Sequence, residues 1–399
     1  MDLVQVRIFI TLFLAVFVTT MGAGMVAPLL PVYAHELGAG AFQIGLIFGA
    51  FSLTRSVFVP YFGKLSDRKG KKPLLTIGLF LYFLLSLLYA VSNGVWSLVV
   101  LRLGQGFASA MILPVAQAYV GIITPEQREG RLMGIFNMSI YGGLSAGPVL
   151  GGLVKDWFNI EISFLSMGVL TLFGFILCLV SLPAKDLSLK NKSNINHRSM
   201  SVSYIRMLKF PQVFSLFMFR ACFTTCIGII WTFLPLLAGT QLGLSGSAIG
   251  FLVMIHVLVA GLLQAPMGYI ADQMNKRVLV IGGGILGVVA VLSLIKASSF
   301  MEIVLVSGLL GLAGGISFPA VMAIGVIQGR QNDAMGSMMG LLAMAHSVGM
   351  LIGPILAGVL MDLFSLKATF FLGAGILSSG IIVFFMNHHD TCQERIPTS

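Results

Sequence analysis

Charge is what this sequence has least of. Only 10% of its 399 residues are Asp, Glu, Lys or Arg, and only 14 are acidic. With 57% hydrophobic residues, the chain has too little polar surface to clothe a water-soluble body, which excludes a soluble enzyme or binding domain. Cysteine is sparse as well. Cys178, Cys222, Cys226 and Cys392 make neither a disulfide framework nor a CxxC metal pattern, so no metal site is expected. Extended polar sequence is confined to one stretch, KDLSLKNKSNINHRSMSVSYIRMLK, rich in Ser, Asn and Lys, which reads as a linker.

What is present is apolar, with a mean hydropathy of +0.98. Runs of about 20 residues, each enough to cross a bilayer, recur from end to end. Helices are predicted near 6–33, 41–62, 73–92, 96–122, 132–154 and 162–183, then near 211–238, 247–271, 278–295, 302–327, 334–361 and 367–386. The first run is too long for a signal peptide and lacks a polar cleavage region, so it counts as a helix. The expected fold is an all-α membrane protein of twelve transmembrane helices in two six-helix pseudo-symmetric bundles. These are residues 1–183 and residues 211–399 with a short cytoplasmic tail, joined by a cytoplasmic linker at 184–210.

A formal net charge of +10 would suit nucleic acid, but the positions of the cations exclude it. If the N-terminus is cytoplasmic, 18 of the 24 Lys and Arg residues fall on the cytoplasmic side. Lys155, Lys296 and Lys367 fall outside, and Arg55, Arg102 and Arg220 lie within helices. This is the positive-inside bias, with both termini cytoplasmic and the basic clusters at 64–72 and 185–209 against lipid headgroups.

Sliding the sequence against itself by about 205 residues aligns Gly45 with Gly250, Gly63 with Gly268, Asp67 with Asp272, Gly106 with Gly311, and Pro114 with Pro319. Thr19-Thr20 falls on Thr224-Thr225. Such parallel halves are what secondary transporters use, because rocking one against the other alternately exposes a site near the midplane.

Four strings stand out within this frame. GKLSDRKGKK (Gly63 to Lys72) is echoed by GYIADQMNKR (Gly268 to Arg277). Their glycines suit a tight cytoplasmic turn, and Asp67 can interact with a neighbouring helix N-terminus. RLGQGFASA places Arg102, Gln105 and Gly106 in the fourth helix, and GLSAGPVLGG (Gly143 to Gly152) in the fifth is repeated as GMLIGPILAG (Gly349 to Gly358) in the eleventh. Glycines at this spacing make a smooth packing face, and the proline allows a bend.

Together these strings resemble the major facilitator superfamily, and GxxxGPxxGG resembles its twelve-helix drug:proton antiporter branch. The resemblance implies a gate latch of the outward-open state from Gly63, Asp67, Arg68, Gly70 and Lys71 with Gly268 and Asp272. It implies a cavity or proton-coupling role for Arg102 and Gln105. It implies antiporter-type packing at Gly143, Gly147, Pro148, Gly151, Gly152, Gly353 and Pro354. Two enzyme-like strings are set aside: Gly143-Leu-Ser-Ala-Gly147 satisfies GxSxG inside a predicted membrane helix, and VLVIGGGILG (Val278 to Gly287) mimics a dinucleotide-binding turn inside another.

None of the 14 acids falls in a helix centre, and Thr20 and Met21 stand where some members of the branch carry an acid. His256 and His346 are then the intramembrane groups that titrate near neutrality and the candidates to carry protons. A buried hydrogen-bonded histidine is the alternative for each. An embedded arginine costs several kcal/mol unless it faces a cavity or a partner. Arg55, Arg102 and Arg220, if they face inward, make an electropositive cavity with Gln105, Gln117, Asn137, Tyr141, Trp231 and Gln264 as polar or aromatic lining; the alternatives are a snorkelling or structural role for Arg102 and lining residues that satisfy a neighbouring helix.

The expected function is proton-coupled efflux of a small amphipathic drug or metabolite by alternating access, an anionic, zwitterionic or neutral one being favoured. No cofactor, no enzymatic activity and no nucleic-acid partner are expected. The expected setting is a monomer in a bacterial inner or plasma membrane. The alternatives are a metabolite importer or facilitator on the same fold, and a non-transporting membrane receptor.

Overall fold

In a bilayer no water satisfies backbone N–H and C=O groups, so apolar runs of this length must close their hydrogen bonds internally as helices. The computed structural model describes residues 3–124, 129–183, 204–331 and 335–387, and among them every regular element is helical. In the first part of the chain these are α1 Leu3–Val26, α2 Leu30–Glu36, α3 Ala41–Lys69, α4 Lys71–Ala90, α5 Val95–Ile123, α6 Glu129–Trp157 and α7 Ile160–Ser181. In the second they are α8 Tyr204–Met207, α9 Pro211–Thr240, α10 Gly246–Gln273, α11 Lys276–Lys296, α12 Phe300–Gln331, α13 Met335–Leu363 and α14 Leu366–Asn387.

Taking α1 and α2 as one interrupted span and setting aside the four-residue α8 leaves the twelve long helices that the apolar runs predict. Eleven spans among the described residues are long and apolar enough to cross a membrane. The twelfth long helix, α6, is diluted by its Gly, Ser, Asn and Tyr residues.

Two departures from the predicted runs have local causes. The first run breaks at Ala27-Pro28-Leu29, because Pro28 has no N–H to donate, and the helix restarts with Tyr33 N–H donating to the Leu29 carbonyl. The second run extends past 62 to Lys69, and the tight turn expected of GKLSDRKGKK shrinks to Gly70 alone. Gly70 takes a φ of 92°, open to glycine and strained for other residues. Gly63 and Gly268, expected to shape turns, sit inside α3 and α10 with open space where a Cβ would stand.

The chain groups by packing into two units. Unit 1 comprises residues 1–195 and 235–257, and unit 2 comprises 196–234 and 258–399. Within unit 1, α1 packs on α6 and α7, α3 on α5, and α4 on α5 and α7. Within unit 2, α11 packs on α12 and α14, and α13 on the same two. Packing assigns the segment 235–257 to unit 1, whereas the division at the linker records chain repetition.

The same contacts recur at the repeat offset. A Cβ on Gly78 of α4 would stand 3.1 Å from the Ala108 carbonyl of α5, and one on Gly283 of α11 would stand 2.9 Å from the Ala313 carbonyl of α12. The glycine string that mimics a dinucleotide-binding turn is therefore a helix–helix contact. Gly282, beside it, faces open space. Gly283→Leu should destabilise the protein by about 1–3 kcal/mol through overpacking. Gly282→Leu should stay within about 0.5 kcal/mol. Thermal unfolding of the full chain in detergent measures both, and equal shifts would contradict the packing role assigned to Gly283.

Candidate functional site

Residues four apart on a helix share one face, so the glycines of GLSAGPVLGG form a groove along α6. A Cβ on Gly143 would collide with the Thr20 hydroxyl and lie 2.6 Å from the Phe17 carbonyl of α1. One on Gly147 would meet the Met21 carbonyl, and one on Gly151 the Met25 carbonyl. The α1 and α6 backbones thus touch over more than two turns. Thr20 Oγ1 donates to the Val16 carbonyl at 2.8 Å and lies 3.4 Å from the Ser139 carbonyl of α6.

In unit 2, α13 repeats the arrangement against α9. Gly349 meets Thr224, Gly353 meets the Thr225 carbonyl, and Pro354 Cδ lies 3.0 Å from where a Gly228 Cβ would stand. Thr224 Oγ1 lies 3.4 Å from the Ala345 carbonyl, matching Thr20 and Ser139. Ser145, the residue of the GxSxG string, donates to the Tyr141 carbonyl of its own helix at 2.7 Å and is no nucleophile at a strand-to-helix turn.

Toward its C-terminal end α6 changes partner. Gly152 abuts the Gly246 carbonyl, and Gly250 of α10 abuts the Pro148 carbonyl, all within unit 1. Asp156 then closes the contact. Its carboxylate accepts from the Gly246 N–H at 2.7 Å and the Ser247 N–H at 2.8 Å, satisfying two orphan donors at the positive end of α10. Beside it, Lys155 Nζ lies 3.6 Å from Glu36 Oε1. Asp156 is absent from the residues that the sequence singles out. Its signal is an acid four residues beyond Gly152, but its partner lies 90 residues away.

The embedded cations sit differently in each unit. Arg102, 7% exposed, donates from Nη1 to Gln105 Oε1 at 3.3 Å, an oxygen that also accepts from the Tyr89 hydroxyl at 3.1 Å. Gln105 Nε2 contacts Met167 Sδ at 3.6 Å. The Arg102 guanidinium lies 5.2 Å from the Phe48 ring and 5.7 Å from the Phe51 ring of α3. Arg55 lies 6.0 Å from that same Phe51 ring. In unit 2, Arg220 stacks 4.2 Å over Phe318 and places Nη2 3.4 Å from His346 Nδ1.

Of the remaining expected residues, His256 is buried within α10, Tyr141 is half-buried and Asn137 is exposed. In the gating strings, Arg68 and Asp272 are exposed and Lys71 is buried, while Lys72 Nζ donates to the Leu182 carbonyl at 2.6 Å. The Asp67 side chain, Cys392 and most of the 184–210 linker lie outside the described residues. Every carboxylate residue of the described helices stands in a first or last turn: Glu36, Asp67, Glu129, Asp156, Glu161, Asp272, Glu302 and Asp362.

Twelve long helices with repeated motifs and glycine-tight packing define a multi-pass membrane protein of the secondary-transporter class. The sequence profile of the Major Facilitator Superfamily matches residues 12–245 and again 216–395, and the chain belongs to that superfamily. It is a transporter, not an enzyme, and its partners are a small-molecule substrate and the bilayer. The chain is 30% identical to an uncharacterized MFS-type transporter of Methanocaldococcus jannaschii, over 92% of this chain and 96% of that protein. It is 25% identical to Multidrug resistance protein 2 of Bacillus subtilis, over 90% of each. Among solved structures, the nucleoside transporter NupG superposes with a TM-score of 0.80 at 12% identity, covering 96% of this chain and 100% of that one.

The Asp156 cap gives a local test. Removing a capping carboxylate costs about 1–2 kcal/mol, so in Asp156→Ala the amides of residues 247–250 should exchange hydrogen about tenfold faster. Asp156→Asn, which keeps one acceptor oxygen, should fall between. Hydrogen exchange followed by mass spectrometry reads this, and wild-type rates in Asp156→Ala would show that the cap does not hold α10.

Proposed function

We propose that this protein exports a small amphipathic molecule by alternating access, exchanging it for protons. The observation that carries the reading is the pair of glycine faces, Gly143, Gly147 and Gly151 on α6 against α1, and Gly349 and Gly353 on α13 against α9. A surface on which backbones touch can roll or slide only slightly before it clashes, so each pair moves as one rigid body. Rigid bodies are what alternating access requires. Likeness to a protein named for multidrug resistance supports the outward direction.

The proposed setting is a monomer in a bacterial inner or plasma membrane, both termini cytoplasmic, with halves 1–183 and 211–399 joined by a cytoplasmic linker at 184–210. It needs no bound cofactor and no nucleic-acid partner, and it draws energy from the proton gradient. Described helices whose interiors hold arginines and no carboxylate support an anionic, zwitterionic or neutral substrate over a lipophilic cation.

Proton coupling, in this reading, falls to His346. For Arg220 Nη2 to donate to His346 Nδ1, that ring nitrogen must be unprotonated. A proton arriving there displaces the guanidinium, so proton binding and the Arg220–His346 contact exclude one another. One observation favours a second reading, facilitated passage of a metabolite without proton exchange: every carboxylate of the described helices is terminal.

Inverted vesicles with an acidic lumen decide between them. Addition of a transported compound should release protons from the lumen of vesicles carrying the wild type, and His346→Gln should lose most of that release while Lys296→Gln, at an exposed position given no role in transport, keeps it. Compound uptake without proton flux would overturn antiport and leave the facilitator reading. The absence of uptake across a panel of anionic, zwitterionic, neutral and cationic amphipaths would overturn export itself.

A further inference from the structure

Two guanidinium groups in unit 1 share a ring. Arg102 Cζ lies 5.7 Å from the Phe51 centroid and Arg55 Cζ lies 6.0 Å from the same centroid. Both cations therefore converge on one ring, Arg55 from α3 itself and Arg102 from α5. Like charges drawn together in a low-dielectric interior repel, and the desolvation of each is costly. Something of opposite sign must offset this, or the arrangement would open.

The described residues do not supply it. Among the described residues no carboxylate forms an ion pair with either arginine, and every carboxylate of the described helices stands in a terminal turn, whereas Arg102 lies two turns inside α5 and Arg55 in the middle of α3. Arg102 is more than nine-tenths buried, and its Nε is fully enclosed with no hydrogen-bond acceptor. A guanidinium carries five N–H donors in a planar fork suited to a carboxylate. The neutral acceptor Gln105 Oε1 beside Arg102 is shared with Tyr89. Ring faces offset part of a cation's burial but leave its in-plane donors unsatisfied.

We propose that Arg102 and Arg55, arranged about Phe51, form a binding site for a singly charged anionic group. That group is either the carboxylate of a transported amphipathic molecule or an inorganic halide. Phe48 and Phe51 beside Arg102 suit the apolar body that an amphipathic carboxylate would bring. The carboxylate form rests on the export reading above and names the class of its substrate; the halide form stands without it.

The full chain, purified in detergent, is titrated with pyrenebutyrate and with pyrenemethylamine, two probes with one ring system and opposite charge. Each titration is run in sodium sulfate, whose anion is doubly charged, and again in sodium chloride at the same ionic strength. Wild type should bind pyrenebutyrate. Arg102→Met and Arg55→Met should each weaken that binding by about tenfold or more while leaving pyrenemethylamine unchanged. Arg102→Lys, which keeps the charge but loses the fork, should recover part of the loss.

Pyrenebutyrate binding that chloride does not displace assigns the site to a substrate carboxylate. Displacement by chloride, lost in both methionine variants, assigns it to an inorganic anion. Wild-type affinity for pyrenebutyrate in both monodisperse methionine variants would overturn the site, as would equal loss of both pyrene probes or no anion binding by wild type. Vesicle export of a neutral amphipath, measured in parallel, separates the two failures. Export that persists without anion binding sinks this site alone, and anion binding without any export sinks the transport reading alone.

Discussion

Contact between backbones, allowed where a glycine replaces a side chain, is the interaction on which this architecture depends. Lipid is as apolar as leucine, so burying apolar side chains between two membrane helices adds little driving force. Close approach does add, because dispersion contacts and main-chain dipoles come into range. Gly143, Gly147 and Gly151 bring α6 onto the carbonyls of α1, and Gly349 and Gly353 do the same for α13 and α9. Gly78 and Gly283 join α4 to α5 and α11 to α12 by one recurring contact. Each contact fixes two helices as a pair, and pairs of this kind are the rigid parts from which a rocking mechanism is assembled.

Charge is sorted as strictly as size. Carboxylates stand at helix ends, where they can cap: Asp156 holds the first amides of α10, and Glu302 accepts from the Ser298 N–H at 2.7 Å ahead of α12. Arginines stand inside, where they lean on rings: Arg102 on Phe48 and Phe51, Arg220 on Phe318. A carboxylate deep in a helix would neutralise those cations and leave a polar core indifferent to anions. Among the described helices the acids stay terminal, as the proposed anion site at Arg102 and Arg55 requires.

Most of this fold was legible in the sequence, because a membrane helix announces itself by length and apolarity. The twelve runs, the offset of about 205 residues between the halves and the packing role of the Gly-Pro strings need only local pattern and a self-comparison. Detail that depends on partners was not legible. Gly63 and Gly70 look alike in GKLSDRKGKK, yet only Gly70 takes a positive φ, a property set by where α3 stops. The break at Pro28 and the continuation of α3 to Lys69 are choices between helix and turn that propensity leaves open. At the candidate site, Arg102, Arg55 and Arg220 were visible as misplaced charges. Apart from Phe51, one turn before Arg55, their ring partners and the Asp156 cap were not, since those contacts join residues about fifty to a hundred positions apart.

The sign of the cargo's charge and the source of energy are linked. A proton antiporter for cations needs a group that binds either a proton or the cation, and a carboxylate in the helix interior is the usual means of enforcing that choice. Here the interior groups at the candidate sites are arginine and histidine, and the proposed anion site at Arg102 and Arg55 holds no titrating acid of its own. Outward movement of an anion has a driving force of its own, because an inside-negative potential of 100 mV favours expulsion of each negative charge by about 2.3 kcal/mol. A neutral or zwitterionic cargo carries no such bias, and for it the proposed exclusion between a proton and Arg220 at His346 Nδ1 would supply the coupling.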